Sequence, residues 1–167
     1  MDLKDYIRSI KDYPKKGILF RDITTLIKNE TAFEESINQI VERSKKFRVD
    51  KIAAIESRGF VFASAVSYIL KKPFIMLRKK NKLPADVHSV DFQLEYGTAT
   101  IEVHKDSISE NDSVLIIDDL IATGGTAEAA AKLIEISKGK VAAFIFVINL
   151  FDLGGCENLL KNGYKVC

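Results

Sequence analysis

Residues 114–126, VLIIDDLIATGGT, run from four aliphatic side chains straight into two adjacent aspartates and then into a glycine turn. No other stretch constrains the fold as much. A continuous aliphatic run is the pattern of a strand buried on both faces of a parallel sheet. Parallel strands in turn require crossover connections, usually helices. The remaining sequence supplies both kinds of element. KIAAI (51–55), FIML (74–77) and VAAFIFVINL (141–150) are further apolar runs, and TATIEVH (98–104) alternates with period two, as a half-buried strand does. FVFASAVSYIL (60–70) is long enough for a helix with small residues on one side. After the glycines, Ala129, Ala130, Leu133, Ile134 and Ser137 share a helical face, Glu128 and Lys132 form an i,i+4 pair on the other, and Gly139 is expected as the C-cap. Thr31-Ala-Phe-Glu34 has the form of a capping box ahead of Phe33, Ile37, Ile40, Val41 and Phe47 at helical spacing. It predicts a helix from Thr31 to about residue 46. Strands alternating with helices predict an α/β fold with a mainly parallel sheet, and 167 residues suit one domain.

Composition closes off other classes. An apolar fraction of 47% with 29% charged residues suits a soluble chain with a real core, and a net charge of +2 argues for neither nucleic acid nor membrane as a partner. The most apolar run, VAAFIFVINLF, is far shorter than the ~20 residues a membrane helix needs, and MDLKDYIRSIKDYP lacks the apolar centre of a signal peptide. A cytoplasmic protein is expected. Cys156 and Cys167 lie outside any metal-ligand spacing and are expected as reduced thiols. His88 and His104 are expected as an ordinary loop residue and an ordinary strand residue, with no zinc site.

In open parallel sheets, ligands bind beyond the carboxyl ends of the strands. The informative residues are therefore Glu56-Ser57-Arg58-Gly59, the basic stretch Arg78 to Lys82, and Asp118 to Thr126. Thr123-Gly124-Gly125-Thr126 sits between a strand and a helix, where glycines let successive N–H groups converge on an oxyanion and the helix N-terminus adds its positive dipole end. It is neither a triphosphate P-loop, for which the Gly-Lys-Ser/Thr ending is missing, nor Gly-x-Gly-x-x-Gly. Asp118 and Asp119 would each prefer water, and one helix cap would need only one of them. Their natural partners are neutral donors such as a sugar diol, or a divalent cation. An anion cradle a few residues from a pair of hydroxyl acceptors describes a site for a ribose 5-phosphate.

VLIIDDLIATGGT resembles the phosphoribosyl-pyrophosphate signature of the type I phosphoribosyltransferases. DYPKKGILFRDITTLIK (12–28), IESRGFVFASAVS (55–67), LRKKNKLPADV (77–87) and FQLEYGTATIEVHKD (92–106) resemble, in order, the other blocks of the adenine branch of that family. The resemblance implies the family's α/β fold across residues 1–167, with a central mainly parallel sheet flanked by helices, a small N-terminal hood at about 1–30 and a flexible active-site loop at about 80–98. It implies a homodimer with adenine and phosphoribosyl pyrophosphate as substrates, AMP and pyrophosphate as products, and no nucleic acid or membrane partner. Asp118 and Asp119 would hold the ribose, and Ala122, Thr123, Gly124, Gly125 and Thr126 its 5-phosphate. Ser57, Arg58 and Gly59, with Arg78, Lys79 and Lys82, would meet the pyrophosphate. Phe20 and Leu120 would sandwich adenine, the backbone of Ile18 or Leu19 would read its edge, and Arg21 and Arg58 would lie near it. Glu95 would assist removal of the N9 proton and Tyr96 would help cover the site. Mg2+ is expected as cofactor, bound through substrate oxygens, with direct contact to Asp118 and Asp119 as the alternative.

Two other functions are weighed. The ILFRDI and LEYG blocks speak against a 6-oxopurine substrate, and the balanced charge speaks against a purine-sensing transcription regulator. Lys16 and Thr25 stand where the family usually has prolines. The C-terminal VINLFDLGGCENLLKNGYKVC departs most, with Asn149 in the place of a common Glu and Cys156 in that of a common Arg. That departure is expected to bear on stability or base preference and to leave the ribose and phosphate elements untouched.

Overall fold

A short 3-10 turn at Leu3–Tyr6 leads into β1 (Arg8–Lys11), which pairs antiparallel with β2 (Leu19–Asp22), placing Ile10 opposite Phe20. Two helices follow, α1 (Thr24–Ile27) and α2 (Glu30–Ser44). The protein is described here by a computed structural model over residues 1–94 and 96–167, and its chain forms two compact units, 1–42 and 43–167. Within the first unit Asp22 ties the hairpin to α1. Its carboxylate accepts from the Thr24 hydroxyl at 2.6 Å and the Thr24 N–H at 3.0 Å, and from Arg8 Nε at 3.1 Å. Those bonds, from Thr24 first and Arg8 next, hold its pKa down at about 2.

The cap of α2 differs from the expected one. Asn29, not Thr31, closes the helix: its Oδ1 accepts the Ala32 N–H at 2.9 Å, which places it at the N-cap with Ala32 at the third helical position. Thr31 lies inside the first turn and is exposed. The helix stops at Ser44, whose carbonyl accepts the Phe47 N–H at 3.0 Å in a closing turn.

The second unit carries the sheet. Its elements are β3 (Lys51–Ile55), α3 (Arg58–Leu70), β4 (Phe74–Lys79), β5 (Val87–Gln93), β6 (Thr98–His104), β7 (Ser113–Ile121), α4 (Gly125–Ile136), β8 (Lys140–Asn149) and α5 (Gly155–Lys161). The strand order is β5-β6-β4-β3-β7-β8. β4, β3, β7 and β8 run parallel, while β6 pairs antiparallel with both β4 and β5. β5 lies within the segment expected as a loop: Val90 and Phe92 alternate toward the core, a signal masked by the charged and polar residues between them. His88 is accordingly a strand residue.

β7 is longer than its aliphatic run. It carries Asp118 and Asp119 within the strand, because pairing to β8 continues through Asp118–Phe146 and Leu120–Ile148 to Ile121–Asn149. Leu115, Ile116 and Ile117 of β7, Phe144 and Ile145 of β8 and Leu133 and Ile134 of α4 are fully buried. Each such side chain contributes about 1.5–3 kcal/mol by leaving water. Ala129, Ala130, Leu133, Ile134 and Ser137 are all buried, as their shared face predicts. The C-terminus of α4 differs in one detail. Lys138 takes the left-handed conformation, at φ +67, and Gly139 follows it, donating its N–H to the Ile134 carbonyl at 3.0 Å. Gly139 is small for a packing reason: a Cβ there would stand 2.9 Å from Ile108 Cγ2. No described helix is long and apolar enough to cross a membrane.

Replacing Asn29 by alanine is expected to lower unfolding free energy by about 1 kcal/mol, and replacing Thr31 by alanine to change it little. Urea unfolding of the two variants distinguishes the caps.

Candidate active site

The carboxyl ends of β3, β4 and β7 point to one edge of the sheet, and a cavity of about 400 Å3 opens there. Its walls come from five places. The turn after β3 contributes Glu56, Ser57 and Arg58, the end of β4 contributes Lys79, β7 contributes Asp118 through Ile121, and the loop into α4 contributes Ala122 through Ala127. Phe146 of β8 closes one side.

The loop is shaped for an anion. Gly124 is the residue before α4 and has φ +92, a conformation that favours glycine. No side chain caps the first turn of α4, so its leading N–H groups remain for a ligand. Gln93 at the end of β5 comes alongside, with its carbonyl oxygen 3.9 Å from where a Cβ on Gly125 would stand. The turn joining β5 to β6 therefore springs from beside the loop.

The two aspartates are not equivalent. Asp119 is buried and accepts from Arg58 Nε at 2.6 Å, so its charge has a local counterion. Asp118 accepts the Asp119 N–H at 2.8 Å. Burial, and then the neighbouring Asp119 charge, push the Asp118 pKa up to about 8. Asp118 therefore keeps its proton more readily than an ordinary carboxyl and can offer a hydroxyl donor beside the Asp119 acceptor. A ribose diol can donate to such a pair, and a cation can displace the proton. Gly59 makes this packing possible: a Cβ at that position would meet Asp118 Oδ1 at 2.7 Å.

Glu56 organises the basic side of the cavity. Its Oε1 accepts the Lys79 N–H at 2.7 Å and lies 3.4 Å from Arg78 Nε. The following turn is held by Glu102 of β6, which is buried and accepts the Asn81 N–H at 2.8 Å and the Ser89 hydroxyl at 2.6 Å. These bonds, Ser89's first, keep the Glu102 carboxyl below its usual range.

Of the residues expected at the site, Ser57, Arg58, Lys79, Asp118, Asp119, Leu120, Ala122, Thr123, Gly124, Gly125 and Thr126 line this one cavity. Gly59, Arg78 and Lys82 do not: Gly59 is buried beneath Asp118, Arg78 is turned to Glu56, and Lys82 is exposed in the turn after β4. Tyr96 is also outside the lining and is 76% exposed in the β5–β6 turn. Glu95 lies outside the described residues. Ile18, Leu19, Phe20 and Arg21 belong to the first unit. There Phe20 meets Tyr13 edge-on at 5.0 Å, Arg21 donates to Ser9, and Ile18 and Leu19 are exposed. Sequence reasoning did not assign Ile55, Glu56, Ile121, Ala127 or Phe146, which also line the cavity. Glu56 stood inside the strand-end block already singled out. Phe146 gave no signal, because in a continuous apolar strand the cavity-facing position looks like every other. Among the described residues no cluster of three or more metal-binding side chains occurs, while Asp118 and Asp119 supply two hard oxygen donors to one cavity.

Residues 22–166 match the family of the phosphoribosyl transferase domain. The chain is 82% identical over 166 residues to the adenine phosphoribosyltransferase of Pelagibacter ubique, an alignment covering 99% of this chain and 95% of that one. It is similar to the crystal structure of adenine phosphoribosyltransferase from Thermoanaerobacter pseudethanolicus, with a TM-score of 0.94 and 44% identity over 99% of this chain and 95% of the other. It is also similar to the Saccharomyces cerevisiae enzyme solved with an imino-altritol bisphosphate and adenine, with a TM-score of 0.91 and 32% identity over 99% and 94% of the two chains.

Because the Asp118 pKa is raised on folding, its contribution to stability is full below the unfolded value near 4 and is lost as pH rises through about 8. Asp118→Asn is therefore expected to gain stability relative to the native chain between those limits. In thermal unfolding without ligands, its Tm should exceed that of the native chain at pH 8.5 by clearly more than at pH 5. An equal difference at both pH values would refute the assignment.

Proposed function

The chain belongs to the adenine phosphoribosyltransferase family, and from that membership we propose how its residues divide the work of a purine-salvage reaction. The enzyme transfers the 5-phosphoribosyl group of phosphoribosyl pyrophosphate to N9 of adenine, giving AMP and pyrophosphate. The observation that carries the residue assignments is the single cavity in which the aspartate pair, the Thr-Gly-Gly-Thr loop and the cations Arg58 and Lys79 all meet.

The bond from ribose C1 to the pyrophosphate oxygen breaks and the bond from C1 to N9 forms. Positive charge develops on the ring, negative charge collects on the leaving group, and the N9 proton must go. Asp118 and Asp119 accept from the ribose hydroxyls and lie on the side where ring charge grows. The backbone of Ala122 to Thr126, with the two threonine hydroxyls, holds the 5-phosphate. Arg58 and Lys79 face the leaving group with Ser57, and preoriented charge of this kind acts mainly in the transition state. Gly59 acts by letting Asp118 approach, and Arg78 by its pairing with Glu56 at the strand end. Lys82 is assigned to the same basic edge. Mg2+ would be held through substrate oxygens, with direct contact to Asp118 and Asp119 as the alternative, and when bound would neutralise leaving-group charge.

Phe20 and Leu120 are assigned to the faces of adenine, Ile18 and Leu19 to its edge, and Arg21 and Arg58 to its surroundings. Glu95 is assigned to the N9 proton, and Tyr96 to covering the site so that water does not compete for the ribosyl group. The domain organisation proposed is one phosphoribosyltransferase domain with a hood at about 1–30 and a covering segment at about 80–98 that includes strand β5. A cytoplasmic location accords with the two free thiols, Cys156 and Cys167. A homodimer accords with the apolar side chains left exposed on α3 and β4, namely Val61, Tyr68, Ile69 and Met76.

Pyrophosphate release should be followed with phosphoribosyl pyrophosphate, Mg2+ and adenine, hypoxanthine, guanine or no base. Fast release with adenine alone is expected. Release with an oxopurine would overturn the base assignment, and release with none would overturn the transferase reading. Lys79→Ala should lower kcat/KM roughly 10²-fold. Light scattering should give the mass of a dimer for the native chain and a shift toward monomer for Tyr68→Asp.

A further inference from the structure

The C-terminal segment reaches the phosphate loop. The Leu150 N–H donates to the Ile121 carbonyl at 3.0 Å, and the Gly155 N–H donates to the Ala122 carbonyl at 3.1 Å. Two consecutive carbonyls, the last of β7 and the first of the loop, are thereby engaged from one side. In a trans peptide the N–H points opposite to the C=O of the same unit. With the Ile121 and Ala122 carbonyls turned to the C-terminal segment, the N–H groups of Ala122 and Thr123 are turned away from it, and both residues line the cavity.

This arrangement needs a residue without a side chain at position 155. A Cβ on Gly155 would stand 2.5 Å from the Ala122 carbonyl oxygen, 2.7 Å from Ile121 Cγ1 and 3.0 Å from the Gly124 nitrogen. Two of those atoms are backbone, so the loop itself would have to move. Gly124 faces the same contact, since a Cβ on it would lie 3.2 Å from the Gly155 Cα. The segment that presses on the loop is firmly mounted. Leu159 of α5 is fully buried in the core of the second unit, and the Tyr164 hydroxyl donates to Glu135 Oε1 of α4 at 2.5 Å. The chain end runs beside β8, with the Phe144 N–H donating to the Lys165 carbonyl at 2.8 Å and the Cys167 N–H to the Phe144 carbonyl at 2.9 Å.

We propose that Gly155 is a positioning residue for the 5-phosphate subsite: its bare backbone lets the turn before α5 hold the carbonyls of the loop and aim the loop's amides at the sugar phosphate. This rests on the reading of residues 122–126 as the phosphate cradle. Gly155 touches no substrate and acts through Ala122 and Gly124. The departures at Asn149 and Cys156 leave this glycine contact intact, and the segment serves the phosphate subsite whatever else it does.

The test is calorimetric titration of the native chain and of Gly155→Ala with ribose 5-phosphate and, separately, with pyrophosphate plus Mg2+. Gly155→Ala should weaken ribose 5-phosphate by roughly ten- to hundredfold, the scale of a misplacement near 1 Å, and leave pyrophosphate within about threefold. Failure of the native chain to bind ribose 5-phosphate would overturn the cradle reading itself. Native binding with an unchanged affinity in Gly155→Ala, or an equal loss for both ligands, would overturn the role of Gly155 alone. Should Gly155→Ala fail to fold, hydrogen exchange on the native chain decides. Ribose 5-phosphate should slow exchange of the Gly155 amide if clamp and subsite are coupled, because a ligand that binds the closed form suppresses local opening. Unchanged exchange would overturn the proposal.

Discussion

Two carboxylates side by side near the end of a buried strand set the terms for the rest of the second unit. Alone they would repel each other and draw water into the sheet edge. Three features contain them. Arg58 at the start of α3 pairs with Asp119, Gly59 next to it lets α3 pack close against Asp118, and burial with the neighbouring Asp119 charge raises the Asp118 pKa. The turn after β3 is thus committed by what stands on β7, although 61 positions separate Arg58 from Asp119 in the chain. An isolated buried pair of this kind costs stability and is retained where a ligand completes it.

The other half of the site is built from backbone rather than charge. An anion cradle works only if its N–H groups are already aimed, since reorienting them on binding would consume the affinity they supply. In this protein the aim depends on where the carbonyls of the same peptides go, and they go to the C-terminal segment. Side chains would prevent that contact, so glycine faces glycine at Gly124 and Gly155. On the basic side, Glu56 and Glu102 do comparable work with carboxylates: Glu56, just after β3, takes the N–H of Lys79 at the end of β4, and Glu102 of β6 takes that of Asn81 in the turn that follows.

Where sequence and structure part company, the reasons are local. The capping box at Thr31 is a valid pattern, but the helix begins two residues earlier, where Asn29 takes the Ala32 N–H and leaves Thr31 inside the first turn. The β5 strand was obscured because half of its residues are polar and outward-facing. The aspartates looked as though they followed the strand, whereas the ladder to β8 carries the strand through them. Hydropathy marks where side chains are buried, while strand length is decided by where backbone pairing ends, and these are separate quantities.

From order and pattern alone it could be read that the chain makes an α/β fold, that β7 is buried, that Asp118 to Thr126 lie at a strand end beside a helix start, and that the whole belongs with phosphoribosyl transfer. The first three follow from periodicity and from the chemistry of short contiguous motifs, both local properties, and the last from the resemblance of ordered sequence blocks to a known family. Only tertiary structure decided that Arg58 pairs with Asp119, that Arg78 turns to Glu56 while Lys79 faces the cavity, and that Gly155 stands against Ala122. Each of those is a contact between residues far apart in the chain, set by how a helix or turn docks on a sheet edge. No spacing rule reaches that far, because docking geometry depends on the packing of every side chain in between.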